Sequence, residues 1–123
     1  MTSLTLSIAG AYCIIFVAFH LSFWKIFRWK ADLQRLTPVN RAIMQVLNLR
    51  LTYVFLTIGI ALFLFQTDFV GSGLGKFLLF AMSIFWLMRA IEQIVFFSRT
   101  SIVSWVFVII FLGGSVVFLI PLL

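Results

Sequence analysis

The sequence predicts an all-α integral membrane protein, a four-helix transmembrane bundle of antiparallel, up-down topology. Composition is the first observation behind it. Of 123 residues, 64% are hydrophobic, 18% aromatic and only 10% charged, whereas about a quarter of a soluble domain is charged. A water-soluble fold this small buries too little of its surface to hide so much apolar area, and the length suffices for a single domain over residues 1–123. The second observation is four apolar stretches, each near the roughly 20 residues that a helix needs to cross hydrocarbon. The third is a crowding of positive charge on one connection.

The first span is expected over residues 4–27, with His20 and Lys25 as its ionisable groups. The second covers 38–65, its start marked by Thr37-Pro38, an N-cap residue followed by proline at the first helical position. The third runs over 74–97, and the fourth over 102–120, stopping at Pro121. Residues 28–37 form a basic loop. Within it Trp29, Leu33 and Leu36 fall at i, i+4, i+7, which fits either a short interfacial helix against anionic headgroups or a solvated linker. Gln66 to Gly73 reads as a glycine-containing turn, and Ser98 to Ser101 as a tight hairpin connection.

Lys25, Arg28, Lys30, Arg35 and Arg41 flank or occupy the first connection and Arg99 the third, while the opposite side carries only Lys76. Basic residues of short loops stay in the cytoplasm, so both termini are expected outside, in a bacterial inner (plasma) membrane. The same distribution argues against nucleic acid as a partner, since a net charge of +6 gathered at one loop orients a chain and tracks no phosphate backbone. The N-terminus lacks a basic n-region, so the first span is expected to be retained.

Polar side chains inside a bilayer are costly and are kept for function or helix association. Here they are His20, Gln45, Asn48, Arg50, Arg89, Glu92 and Gln93, and alternating span direction puts all seven in the cytoplasmic leaflet. On span two Arg41, Gln45, Asn48 and Thr52 share one face and Gly59 continues it, while Arg50 lies opposite and can snorkel. On span three Arg89, Glu92 and Gln93 are an i, i+3, i+4 set in which arginine and carboxylate can pair. On span one His20 stacks with Trp24. His20, Trp24, Gln45, Asn48, Thr52, Arg89, Glu92 and Gln93 are therefore the candidate ligand-binding residues, with pure helix glue as the competing reading.

Catalytic chemistry finds little to use. Asp32, Asp68 and Glu92 are the only carboxylates and fall in three different places, so no catalytic residue is assigned. One histidine and one cysteine, Cys13, give no metal set, and no cofactor is expected. Chain size and helix number resemble those of small multidrug resistance transporters and dual-topology fluoride channels. Span one lacks their membrane carboxylate and the charge bias opposes dual topology, so no family is assigned. The leading expectation is a pocket at the cytoplasmic leaflet that binds, or transports, a lipid headgroup or small amphipathic anion. A non-catalytic accessory subunit of a larger membrane complex is the alternative, and a small intramembrane enzyme using Glu92 or His20 as acid/base comes third. Membrane lipids are the expected partners, with a homo-oligomer or larger complex through Gly113, Gly114 and Ser115 of span four.

Overall fold

The structure, a computed structural model, describes residues 2–123, which form helices and turns with no strand among them. Four helices are long and apolar enough to cross a membrane: α1 (Thr2–Leu21), α4 (Pro38–Leu64), α6 (Gly73–Phe96) and α7 (Ile102–Leu119), the last continued by a 3₁₀ turn, Ile120–Leu122. Between them lie α2 (Phe23–Ile26), α3 (Trp29–Asp32) followed by a 3₁₀ turn at Leu33–Arg35, and α5 (Gln66–Gly71).

The surface is inverted relative to a soluble protein. Leu47, Leu64, Leu74, Phe77, Phe96, Ile102 and Ile109 are all more than 60% exposed, while Asn48, Thr52, Ser83, Gln93 and Ser104 are buried. In water that arrangement would expose far more apolar area than a monomer tolerates. In lipid it is the expected one, since tails cover the apolar faces and polar side chains hold helices together. The chain thus has the surface of a membrane-embedded protein.

Two compact units divide the chain: Gly10–Ala61, and residues 1–9 together with Leu62–Leu123. In the first, α1 and α4 approach closely because Gly59 has no side chain. A Cβ there would lie 2.9 Å from Ile14 Cδ1, 3.2 Å from Cys13 Cβ and 3.3 Å from the Gly10 carbonyl oxygen. The start of α4 is capped as its sequence suggests, with the Asn40 amide donating to Thr37 Oγ1 at 3.4 Å.

In the second unit, α6 and α7 form a hairpin. The buried stripe of α6 is Gly75, Leu79, Ser83, Trp86, Ala90 and Gln93, and that of α7 is Ser104, Val108, Phe111, Gly114 and Phe118. Both repeat every three or four residues, the spacing that keeps one helix face on a neighbour. Trp86 stacks on Phe111 with centroids 5.8 Å apart, and Ser83 Oγ donates to the Ser115 carbonyl at 2.8 Å. At the other end of this unit Gln66 joins Ser3 (2.7 Å) and Ser7 (3.0 Å). Ser72 caps α6 by accepting from the Gly75 amide, and donates to the Asp68 carbonyl. The stretch expected as a turn thus contains α5, with Gly75 packed on the backbone of Asp68 and Phe69.

The first long helix ends six residues before the expected 27. Ser22 turns its hydroxyl back to the Ala18 carbonyl at 2.7 Å, a bond that competes with the helical ladder. After α2 the chain passes through Arg28 in the left-handed region, φ 54°, and the direction changes there.

Candidate functional site

Of the eight residues picked out by sequence, His20, Trp24, Gln45, Asn48 and Thr52 belong to the unit Gly10–Ala61, and Arg89, Glu92 and Gln93 to the other. In the first unit His20 and Asn48 join α1 to α4 twice. Asn48 Nδ2 donates to the His20 carbonyl at 3.0 Å, and Asn48 Oδ1 lies 2.7 Å from His20 Nδ1. Because that oxygen can only accept, the proton of this bond sits on Nδ1. Thr52 Oγ1 donates to the Asn48 carbonyl at 2.7 Å. Asn48 thus has donor and acceptor ends both engaged within the unit, an arrangement suited to holding helices together.

The His20 ring lies 4.4 Å from that of Phe23 and 5.4 Å from that of Phe55. Across the end of α1 the i, i+4 spacing still brings rings together, Phe19 on Phe23 at 5.0 Å and Phe23 on Phe27 at 4.8 Å. Trp24 donates Nε1 to Gln45 Oε1 at 3.2 Å, and Gln45 Nε2 donates to the Arg41 carbonyl at 3.2 Å.

In the second unit Arg89 Nη2 donates to Gln93 Oε1 at 3.1 Å, and Gln93 Nε2 donates to Ser104 Oγ at 3.0 Å. The guanidinium carbon sits 4.5 Å from the Phe111 centroid and 5.5 Å from that of Phe97, a cation–π seat. Glu92 is exposed, and Arg89 is placed toward Gln93 and the two rings. Glu92 acts on Arg89 electrostatically, as their helical spacing permits, and the aromatic faces give the cation a second seat. In α7, Gly114 is buried and Ser115 bonds to Ser83, whereas a Cβ on Gly113 would meet nothing within 4 Å.

A recess that could take a ligand lies next to the expected residues, and only Trp24 and Gln45 of them line it. It is an open crevice of about 420 Å³ in the unit Gly10–Ala61, walled by Trp24, Lys25, Trp29, Lys30, Leu33, Gln34, Arg41 and Gln45. The loop is folded back over α4 by Arg41, whose Nε donates to the Leu33 carbonyl (2.9 Å) and Nη2 to the Leu36 carbonyl (3.2 Å). Those bonds use two of the guanidinium's five N–H donors. Trp24 and Trp29 meet edge to face at 5.1 Å, forming an indole corner, and Leu33, 4% exposed, anchors the loop.

Three cations, two indoles and an amide pair therefore surround one recess whose lining contains no carboxylate. Such a set attracts a phosphate or carboxylate and covers the first carbons of an attached tail. The doubled Trp-Lys at positions 24–25 and 29–30 was the sequence signal for it; Trp24 stood in the expected ligand set, but Lys25 and Lys30 were counted as orientation charges and Trp29 as part of the amphipathic loop. No protein-family model matches the chain, and neither a curated protein nor a solved structure matches it.

Proposed function

We propose that this chain crosses the membrane four times as an antiparallel up-down bundle, termini outside and the basic loop in the cytoplasm. In that setting the crevice of the unit Gly10–Ala61 binds the headgroup of an anionic lipid of the inner leaflet. The supporting observation is the crevice lining itself, with Lys25, Lys30 and Arg41 beside Trp24 and Trp29 and no acidic side chain. Indole rings favour the headgroup level, and basic clusters next to a span are drawn to anionic lipid. Each basic residue near such a surface contributes about 1 kcal/mol, so three would retain an anionic lipid over a zwitterionic one by roughly a hundredfold.

Native mass spectrometry of the chain released from mixed micelles tests this. Anionic phospholipid should remain bound and zwitterionic phospholipid should leave. The triple substitution Lys25→Gln, Lys30→Gln, Arg41→Gln should remove the preference. Equal retention of both lipids, or a stoichiometric larger protein in place of lipid, would speak for the accessory-subunit reading.

A further inference from the structure

Arg41 commits one edge of its guanidinium to the loop, Nε to the Leu33 carbonyl at 2.9 Å and Nη2 to the Leu36 carbonyl at 3.2 Å. The outer edge, one N–H on each Nη, takes no bond among the described residues. Guanidinium N–H groups lie in one plane, so that edge is a fork that fits two oxygens of a phosphate. The two loop bonds hold the fork in place before a ligand arrives. Lys25 and Lys30, both exposed and neither ion-paired among the described residues, bring two ammonium groups to the same recess.

Acceptors are scarce there. Of the lining side chains only Gln34 and Gln45 carry an oxygen, and Gln45 Oε1 already accepts from Trp24 Nε1 at 3.2 Å. A headgroup that ends in an ammonium or in several hydroxyls brings donors that this lining does little to meet. A phosphodiester offers two terminal oxygens and one negative charge, whereas a phosphomonoester offers three oxygens and about −1.5 to −2 at neutral pH. A fork for two oxygens with two ammonium groups beside it is the complement of the phosphomonoester.

We infer that the crevice takes a phosphomonoester, the bare terminal phosphate of a membrane lipid. The Arg41 fork holds two of its oxygens, Lys25 and Lys30 meet the third oxygen and the second charge, and the Trp24–Trp29 corner covers the first carbons of the tail. The inference rests on the headgroup reading above and narrows it to one lipid class.

Competition between lipids tests it. The chain is purified from mixed micelles holding equal amounts of phosphatidic acid (a phosphomonoester), phosphatidylglycerol (a phosphodiester) and zwitterionic phosphatidylcholine, all with the same acyl chains, and bound lipid is counted by mass spectrometry. At about pH 7.5 phosphatidic acid should exceed phosphatidylglycerol about tenfold, the scale of one further charge among partly screened cations. At about pH 5 that preference should largely vanish, because the second phosphate proton returns near pH 6 and a phosphodiester has none to gain. No histidine or carboxylate lines the crevice; His20 on α1 and Asp32 on α3 lie outside it, and a change in their charge moves both anionic lipids together. Lys25→Gln with Lys30→Gln, which leaves the Arg41 bonds to the loop in place, should bring the two anionic lipids toward parity. An excess of inorganic phosphate should leave the lipid bound; displacement would overturn the lipid source in favour of a soluble phosphomonoester. Equal retention of the two anionic lipids at about pH 7.5, both above the zwitterionic one, would overturn this inference and leave the anionic-headgroup reading standing. Equal retention of all three overturns both. A preference unchanged at the lower pH or in the double variant also overturns the inference.

Discussion

Replacing Asn48 by leucine removes the two hydrogen bonds that tie α4 to the end of α1, at 2.7 and 3.0 Å. Between helices in a bilayer such bonds average about 0.6 kcal/mol and reach about 1.7, which gives roughly 1–3 kcal/mol for the pair. Most of that loss comes from what is left behind. With Asn48 gone, His20 Nδ1–H and the His20 carbonyl lose these partners, and an orphaned polar group in an apolar setting costs about 1–3 kcal/mol. A net loss near 2 kcal/mol is expected, about thirtyfold in the unfolding equilibrium constant. Thr52 acts as an internal control, because its hydroxyl bonds the Asn48 backbone carbonyl and keeps that partner after substitution.

The decisive construction is the double variant. His20→Phe with Asn48→Leu deletes both partners together, and exchanging a hydrogen-bonded pair for apolar groups of similar shape can be nearly neutral. Phe16, Phe23 and Phe55 already surround the His20 ring, so phenylalanine meets a compatible neighbourhood. Reversible unfolding in mixed micelles, titrated with a denaturing detergent and followed by circular dichroism, should show the double variant more stable than Asn48→Leu alone. The coupling energy should be about 1–2 kcal/mol. Additivity of the two single effects within about 0.5 kcal/mol would refute a direct His20–Asn48 interaction.

Three further outcomes are expected. Gly59→Val should destabilise by about 1–3 kcal/mol in the same titration, because Ile14, Cys13 and Gly10 already occupy the space. Gly75→Ala should be comparably harmful, since its new methyl meets the backbone of Asp68 and Phe69, whereas Gly113→Ala, with nothing within 4 Å, should stay within about 0.5 kcal/mol of the parent. For topology, on a Cys13→Ala background, Thr67→Cys should react with an impermeant thiol reagent in intact cells and Gln34→Cys only after permeabilisation; external labelling at 34 would reverse the orientation.

What composition and run length encode, the sequence made plain. Four apolar runs became four long helices, and the Thr37-Pro38 start of α4 was legible because capping is a local, side-chain-to-backbone matter. The end of α1 was not, because apolarity continues past Ser22 while the hydrogen bond that interrupts the helix leaves no hydropathy signature. The His20–Asn48 link was half legible. Both residues stood out as polar in an apolar run, but only the fold shows that they satisfy each other and so serve α1–α4 packing. The crevice was missed for a tertiary reason: it exists because Arg41 draws the Leu33 and Leu36 carbonyls onto the start of α4, a contact that periodicity cannot express. Ser83 was overlooked as a single small hydroxyl, although its place on the α6 stripe opposite Ser115 marks it.

The proposed headgroup site is most directly tested by a density map of the chain in nanodiscs that contain an anionic phospholipid. The account predicts phosphate density in the crevice between Trp24 and Trp29, within hydrogen-bonding reach of Lys25, Lys30 or Arg41, with an acyl chain leaving toward the bilayer. A crevice closed by its own side chains, or filled only by solvent while ordered lipid sits elsewhere on the protein, would contradict it.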